Sequence, residues 1–319
     1  MVDRYKLVNH FLILDMLISP QDFYPFDQLD ILARQVVEGF IIGLHKSPYH
    51  GFSVEFAEHR LHNAGDSIKD IDWKVFARTE KLYTKKFEEE TNLRCQIVID
   101  ASSSMYFPQE KQAKEFNKIE FSCVAAAALM YMLKKQRDAV GLSVFDETLK
   151  TQTATKTNVM HHQMLMNELY KIIQNIPNQK NTNAVKCLHQ IADTIHRRSL
   201  VIIFSDMLDS ANEQALFLAL QHLKHNKHEV VLFHVVDKLK ELDFKFENRP
   251  YQFIDMESGE TIKLQPNQIK DVYIEKMLER NTNLKLKCAQ YKIDFVEADI
   301  HEGFQPILLS YLVKRSKMI

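Results

Sequence analysis

From residue 93 onward, the chain alternates short β-branched, apolar runs with longer segments of helical periodicity. The strand-like runs are residues 95–99, 139–145, 200–204, 229–236 and 293–296. The helical segments are residues 116–135, 161–176, 184–197, 212–225, 269–291 and 306–315. Strands that alternate with helices are joined by right-handed crossovers and pair into a parallel sheet. The alternation therefore predicts an α/β, Rossmann-like fold with a mostly parallel central sheet and helices on both faces.

The N-terminal part of the chain does not follow this alternation. Residues 26–37 have helical spacing, whereas four of the seven glycines fall between residues 39 and 65. Because glycine permits backbone conformations that other residues avoid, the sequence predicts an irregular segment over 39–65. We divide the chain into an N-terminal helical and irregular segment, residues 1–90, packed on an α/β domain of residues 91–319. Within that domain, a small inserted hairpin is predicted at about 250–265, around Ser258-Gly259.

Composition and charge exclude several classes of protein. Lys plus Arg total 41 against 42 Asp plus Glu, so the net charge is −1 and no basic footprint for nucleic acid is expected. The longest apolar run, residues 123–133, is shorter than the roughly 20 residues of a membrane span. An apolar patch at residues 11–14 is interrupted by Asp15, so we expect no secretory signal and a cytoplasmic protein. The four cysteines lack CxxC spacing and are expected to be reduced core residues.

Polar side chains follow two of the predicted strands. Asp100, Ser102 and Ser104 come after the first strand, and alternate residues of an extended chain point the same way. Asp206 follows the strand at 200–204 and so reaches the same sheet edge, where ligands bind in open α/β sheets. Carboxylate and hydroxyl oxygens suit Mg²⁺, Mn²⁺ or Ca²⁺ better than zinc or copper. With only two carboxylates in the set, a divalent ion would be neutralised and keep a position open for an outside carboxylate.

Each part of this pattern also has a structural explanation. Asp and Ser populate loops after strands for turn and capping reasons, and a helix N-cap explains Asp206 nearly as well. No histidine or lysine lies within either strand-end cluster, which counts against a metal-assisted hydrolase that needs a general base. No GxxxxGK[ST] or GxSxG pattern occurs, so an ATPase or serine hydrolase is not expected. His161 and His162 lack metal-ligand spacing and are predicted to be solvated helix residues.

The order of these motifs resembles a von Willebrand factor A domain. DxSxS follows a first apolar strand, and an apolar helix and a second strand at residues 138–145 come next. In that family, a metal-ion-dependent adhesion site is built from DxSxS, a Thr of a later loop and an Asp after a further strand. Hydroxyls there bind the ion directly, while the Asp groups often act through water. The resemblance implies the same site here, formed by Asp100, Ser102, Ser104, Thr182 and Asp206.

A second resemblance covers most of the chain, including the late hairpin. The upstream motifs that carry it occur in order: Gly43-Leu44-His45-Lys46-Ser47, Gly51, Glu55-Phe56, Glu58, Arg60, Gly65-Asp66, Ile71-Asp72-Trp73, Ala77-Arg78 and Phe87-Glu88-Glu89-Glu90. They resemble the signature of the bacterial family called domain of unknown function 58. That family usually shows Pro before Gly65, an acid at position 67 and Arg at position 69, where this chain has Ala64, Ser67 and Lys69. These departures concern local turn geometry, whereas the metal-site positions match.

Members of that family are typically encoded beside MoxR-type AAA+ ATPases and are thought to act as adaptors in the maturation of other proteins. The resemblance therefore implies a non-enzymatic, Mg²⁺-dependent protein–protein interaction module (or one that uses Mn²⁺ or Ca²⁺). Its expected partner is a MoxR-type AAA+ ATPase, or a protein that donates an Asp or Glu to the metal. Two alternatives stay open: a metal-assisted phosphoester hydrolase and a scaffold with a vestigial metal site. We expect no nucleic-acid partner and no membrane span.

Overall fold

The computed structural model describes residues 27–45, 60–61, 77–78, 83–84, 93–109, 115–175, 183–208, 213–256 and 258–316. Its helices are α1 (Asp27–His45), α2 (Lys118–Lys135), α3 (Val159–Gln174), α4 (Ala184–Thr194), α5 (Glu213–His225), α6 (Pro266–Gln290) and α7 (Gln305–Ser316). Its strands are β1 (Arg60–Leu61), β2 (Tyr83–Thr84), β3 (Arg94–Asp100), β4 (Ala139–Phe145), β5 (Leu149–Gln152), β6 (Leu200–Ser205), β7 (Glu229–Val236), β8 (Tyr251–Ile254), β9 (Thr261–Leu264) and β10 (Asp294–Asp299). A 3-10 turn covers Ser103–Tyr106, and a short π-helix covers Lys238–Leu242.

Six of these strands form the central sheet, in the order β10-β7-β6-β3-β4-β5. The first five are parallel to one another, and β5 is antiparallel to β4 at the edge. Helices cover both faces: Ile97 and Ile99 of β3 pack with α1, α2, α3 and α7, whereas Val98 packs with α4 and α5. Strands buried on both faces have near-continuous apolar sequences, which explains why they could be predicted. The mostly parallel α/β architecture and the β8–β9 hairpin are as predicted.

Helix α1 runs through the first glycines of the segment predicted to be irregular. It continues through Gly39 and Gly43 to His45, so that prediction is wrong for residues 39–45. Glycine inside a helix costs about 1 kcal/mol relative to alanine, which burial of one helix face offsets here. That face includes Leu29 and Val36 and packs against α2. Most of the upstream signature, including Trp73, lies outside the described residues, so the division at residue 90 stays a prediction.

His161 and His162 are buried, so the prediction that they are solvated is wrong. They precede the buried Leu165 and Met166 by one turn of α3 and therefore lie on the same helix face. His161 Nε2 lies 3.0 Å from the carbonyl oxygen of Val140. Burial lowers the pKa of both imidazoles, so both are neutral core side chains at neutral pH.

Two expectations from composition can be compared with the structure. None of the described helices is both long and apolar enough to cross a lipid bilayer. The four cysteines, Cys95, Cys123, Cys187 and Cys288, are buried and free. They therefore contribute to the core as small apolar side chains.

We expect substitution of Gly141 in β4 to be destabilising. A Cβ at this position would overlap Gln96 Oε1 and lie 2.9 Å from the carbonyl oxygen of Thr153. Gln96 is itself buried, and its Nε2 donates a hydrogen bond to Ser143 Oγ at 2.9 Å, so it is not free to move aside. Gly141→Ala should lower the free energy of unfolding, measured by urea denaturation, by about 1–3 kcal/mol. A change within about 0.5 kcal/mol would show that the strand accommodates the methyl group.

Candidate metal site at the carboxyl edge of the sheet

Asp100, Ser102 and Ser104 lie at the carboxyl end of β3. Asp100 is the last residue of that strand, and its Oδ1 accepts a hydrogen bond from the Ser102 backbone N–H at 3.0 Å. This local bond is the turn interaction that aspartate favours. The chain then enters the 3-10 turn, which brings the Ser102 and Ser104 hydroxyls to 3.1 Å from each other. All three side chains are buried.

Asp206 reaches this cluster from the neighbouring strand. It follows β6, which pairs directly with β3, and the preceding Ser205 donates a hydrogen bond to Asp100 Oδ2 at 2.6 Å. Ser104 donates a hydrogen bond to the Asp206 carboxylate. The structure thus brings four of the five residues of the predicted site within hydrogen-bonded reach of one another. Thr182 lies outside the described residues.

A buried lysine joins the same cluster. Lys118 is the first residue of α2 and is fully buried, and its Nζ lies 2.7 Å from Asp206 Oδ2 and 2.6 Å from Glu241 Oε1. The expectation that no lysine belongs to the strand-end clusters is therefore wrong in three dimensions. A capping box formed by Asn117 and Glu120 determines where α2 begins, and this start lies at the carboxyl edge of the sheet.

Further acidic residues continue along this edge. Glu241 lies in the π-helix, and its Oε2 accepts a hydrogen bond from the Asp237 backbone N–H at 2.8 Å. His301 Nε2 lies 3.1 Å from Asp237 Oδ1. Each of four adjacent parallel strands ends at an aspartate or is directly followed by one. These are Asp100 for β3, Asp206 for β6, Asp237 for β7 and Asp299 for β10.

The carboxylates of this cluster differ in their charge environment. Burial raises the pKa of Asp100 to about 7, and the nearby charge of Asp206 adds to the effect, while hydrogen bonds from Ser205 and Ser102 oppose it. Burial also disfavours ionisation of Asp206, but the Lys118 ammonium more than compensates and lowers the pKa of Asp206. Burial alone would lower the pKa of Lys118, yet Asp206 and Glu241 raise it above its usual value. Lys118 and Asp206 are therefore an ion pair, whereas Asp100 makes no ion pair with any described residue.

The donor set fits a hard divalent cation. Asp100 accepts hydrogen bonds from the Ser102 backbone N–H and from the Ser205 and Ser102 hydroxyls, which leaves its carboxylate one lone pair for a cation. The Ser102 and Ser104 hydroxyls add two neutral donors of the kind that Mg²⁺ and Ca²⁺ accept. Across the described part of the chain, no group of three or more His, Cys, Asp or Glu side chains is arranged to hold a metal. The predicted set has only two carboxylates, and its other ligands are hydroxyls, so the absence of such a group neither supports nor excludes it. Metal binding by the predicted set stays a prediction.

We expect the His301–Asp237 pair to make stability depend on pH. The hydrogen bond to Asp237 raises the pKa of His301 above its ordinary value of 6.5. A histidine whose pKa is higher in the folded state stabilises the protein below its unfolded pKa, and this contribution is lost as pH rises through the folded pKa. His301→Gln should therefore cost about 0.5–1 kcal/mol at about pH 5.5, a value limited by solvent screening, and less at about pH 9. Urea denaturation at both pH values measures this difference.

The matched control is His225→Gln, because His225 is exposed on α5. The cost of His225→Gln should be small at both pH values. A cost of His301→Gln that stays constant or grows with pH would contradict the assignment of a charged His301 in the folded protein.

Comparison with known proteins places this chain in a family. Residues 58–283 match the family described as protein of unknown function DUF58. The chain belongs to the DUF58 family. This confirms the resemblance to domain of unknown function 58 that the upstream motifs carry.

Two curated relatives are uncharacterized proteins of Mycobacterium tuberculosis and Mycobacterium bovis. Each is 23% identical to this DUF58 chain over 209 residues. The match covers 66% of this chain and 63% of the relative, so it spans less than two thirds of the relatives' length.

Two solved structures to which this chain has a distant similarity come from Bacteroides. BatB of Bacteroides thetaiotaomicron superposes with a TM-score of 0.44 and 16% identity, covering 71% of this chain and 98% of BatB. An aerotolerance-related membrane protein of Bacteroides fragilis gives a TM-score of 0.41 and 14% identity, covering 70% of this chain and 99% of that protein. These likenesses are too distant to support a conclusion about function.

Proposed function

We propose that this DUF58 protein is a non-enzymatic interaction module that holds Mg²⁺ at the carboxyl edge of its sheet. The observation that carries the proposal is the environment of Asp100. Its buried carboxyl lies beside Asp206 and the Ser102 and Ser104 hydroxyls, and no described cationic side chain pairs with it. Burial of a carboxylate is costly unless a cation compensates for it. A divalent ion would supply that positive charge and leave a coordination position for a partner's Asp or Glu.

The von Willebrand factor A resemblance assigns a role to each residue of this site. Ser102 and Ser104 would bind the ion through their hydroxyls, together with Thr182, while Asp100 and Asp206 would hold its water ligands. The order of elements supports this assignment. The DxSxS loop follows β3, apolar helix α2 and strand β4 come next, and the second aspartate follows β6. Coordination by Mn²⁺ or Ca²⁺ instead of Mg²⁺ is compatible with the same oxygen donors.

The positions of the nearby bases favour binding over hydrolysis. Lys118 stays protonated between two carboxylates and therefore cannot accept a proton. Burial lowers the pKa of His234 to about 4, so that imidazole is neutral, but its Nε2 lies 3.1 Å from the Asp206 carbonyl oxygen. Among the described residues, His234 Nδ1 has no hydrogen-bond partner, and the atom is buried from solvent. Neither residue is placed to activate water at the cluster, as a metal-assisted phosphoester hydrolase requires.

The proposed partner is a MoxR-type AAA+ ATPase, or a protein it acts on, in the cytoplasm. This part of the proposal is supported by the family resemblance and by the near-zero net charge, which disfavours nucleic acid. The experiment is affinity capture by the immobilised protein from its own cell extract, in Mg²⁺ and in EDTA, with the captured proteins read for an AAA+ ATPase.

We expect wild type to capture the ATPase in Mg²⁺ but not in EDTA. The Asp100→Ala variant should fail to capture it even in Mg²⁺. Asp193→Ala is the control, because this substitution removes the same charge from an exposed part of α4. Capture that survives both EDTA and Asp100→Ala would overturn the proposal. Mg²⁺-dependent hydrolysis of a phosphodiester that is lost in Asp206→Asn would favour the hydrolase instead. Heat stability unaffected by millimolar Mg²⁺ would indicate a vestigial site.

A further inference from the structure

We propose that Lys118 is a built-in competitor of the divalent ion for Asp206, and that Glu241 retains the Lys118 ammonium when the ion is bound. The inference rests on the proposed function, because it names the residues that regulate the affinity of the same site. It concerns two residues that the predicted ligand set does not include.

The geometry places Lys118 where a cation of the site would interact with Asp206. Its Nζ lies 2.7 Å from Asp206 Oδ2, while Ser104 donates to the same carboxylate. The lysine side chain is fully buried, and Nζ lies 5.9 Å from the centre of the Phe107 ring. The ammonium therefore has no access to water and depends on its two carboxylates for compensation.

The charge of the cluster indicates which kind of ion it can take. Lys118 pairs with two carboxylates, those of Asp206 and Glu241, and Asp206 lies beside a third, that of Asp100. When all are ionised, the cluster has two uncompensated negative charges, which a divalent ion neutralises. Without Lys118, the cluster would hold three negative charges and attract the ion more strongly. Lys118 thus lowers the affinity of the cluster for the ion.

Glu241 is the second partner that makes this competition possible. Two cations beside Asp206 repel each other, and the lysine side chain is flexible enough to shift its ammonium toward the other carboxylate. Glu241 Oε1 lies 2.6 Å from Nζ, and Glu241 Oε2 is held by the Asp237 backbone N–H at 2.8 Å. Glu241 is therefore anchored and can keep the ammonium buried while the ion occupies the other side of Asp206.

The test is isothermal titration of the purified protein with Mg²⁺, repeated with Mn²⁺, for wild type, Lys118→Met, Glu241→Gln, the double variant and one control variant. Lys118→Met should bind Mg²⁺ about tenfold or more tightly than wild type, because the competing charge is gone. Glu241→Gln should bind about three- to tenfold more weakly, because Lys118 then depends on Asp206 alone. In the Lys118→Met background, Glu241→Gln should weaken binding less than it does in the wild-type background, because no ammonium remains to be retained.

Lys240→Met is the matched control. This substitution removes the same charge as Lys118→Met. The Lys240 Nζ lies 5.8 Å from the centre of the same Phe107 ring. The affinity of the Lys240→Met variant for Mg²⁺ should stay within about twofold of that of wild type.

Unchanged or weaker Mg²⁺ binding by Lys118→Met would overturn the competition. An equal effect of Glu241→Gln in both backgrounds would show that Glu241 acts only through its own charge and would overturn its retaining role. If Lys118→Met does not fold, an unchanged affinity of Glu241→Gln contradicts the inference on its own. Absence of Mg²⁺ binding by all forms, wild type included, would refute the proposed function itself, whereas failure of these variants alone refutes only the inference.

Discussion

Replacement of Lys118 by methionine is expected to lower the free energy of unfolding by about 3–5 kcal/mol in EDTA. Methionine retains most of the apolar stem, so the loss comes from charge rather than from packing. Asp206 and Glu241, both in contact with the ammonium in the wild type, remain near each other without a counter-charge. Urea denaturation with and without Mg²⁺ measures the effect, and millimolar Mg²⁺ should recover much of the loss by restoring positive charge.

The Lys118→Met/Glu241→Gln double variant should be less destabilised in EDTA than Lys118→Met, because one of the two unpaired carboxylates is gone. Lys240→Met again controls for removal of a nearby positive charge. A loss below about 1 kcal/mol for Lys118→Met would contradict the conclusion that the buried cluster depends on the ammonium.

The Asp100→Asn variant is expected to be more stable than wild type in EDTA at about pH 8, by about 1–2 kcal/mol. Burial raises the pKa of Asp100 to about 7 from its usual 3.8. The folded state therefore binds the proton more tightly than the unfolded chain, and the favourable contribution present at low pH is lost as pH rises through the folded pKa. Asparagine carries no charge, so its advantage should grow from about pH 5.5 to about pH 8.

Mg²⁺ should reverse this order of stabilities. Wild type gains stability from an ion that binds only the folded state, while Asp100→Asn gains little. Thermal unfolding at the two pH values, with Mg²⁺ or with EDTA, gives all four comparisons. Asp193→Asn is the control, because its side chain is two-thirds exposed, at 66%. An advantage of Asp100→Asn that is equal at both pH values, or equal stabilisation of both proteins by Mg²⁺, would contradict the argument.

The fold was predictable where burial is complete and less so where it is partial. Strands β3, β6 and β7 are almost wholly buried, so their apolar runs are unambiguous in sequence. Strand β5 escaped prediction because its four residues are half-exposed at the sheet edge and show no apolar alternation. Helix α1 was predicted too short because glycine was given local weight, whereas contacts with the distant α2 decide its extent.

In the candidate site, the residues placed by their own strand could be predicted, whereas contacts between residues distant in sequence could not. Asp100, Ser102, Ser104 and Asp206 could be placed because each belongs to, or directly follows, a parallel strand, and such strands end at one edge. The contacts of Lys118 could not be predicted, because its partners Asp206 and Glu241 lie 88 and 123 residues away along the chain. The one available signal was a lysine on the first turn of a helix that is otherwise apolar nearly all round. A charge in that setting indicates a buried partner.

The most direct test of the central claim, that Asp100, Ser102, Ser104 and Asp206 together hold a divalent cation, is anomalous diffraction from crystals grown with Mn²⁺. We predict one strong anomalous peak at the carboxyl end of β3, in contact with the Ser102 and Ser104 hydroxyls and absent from Asp100→Ala crystals. Well-diffracting crystals in millimolar Mn²⁺ without a peak at that position, or with a peak that persists in Asp100→Ala, would contradict the account.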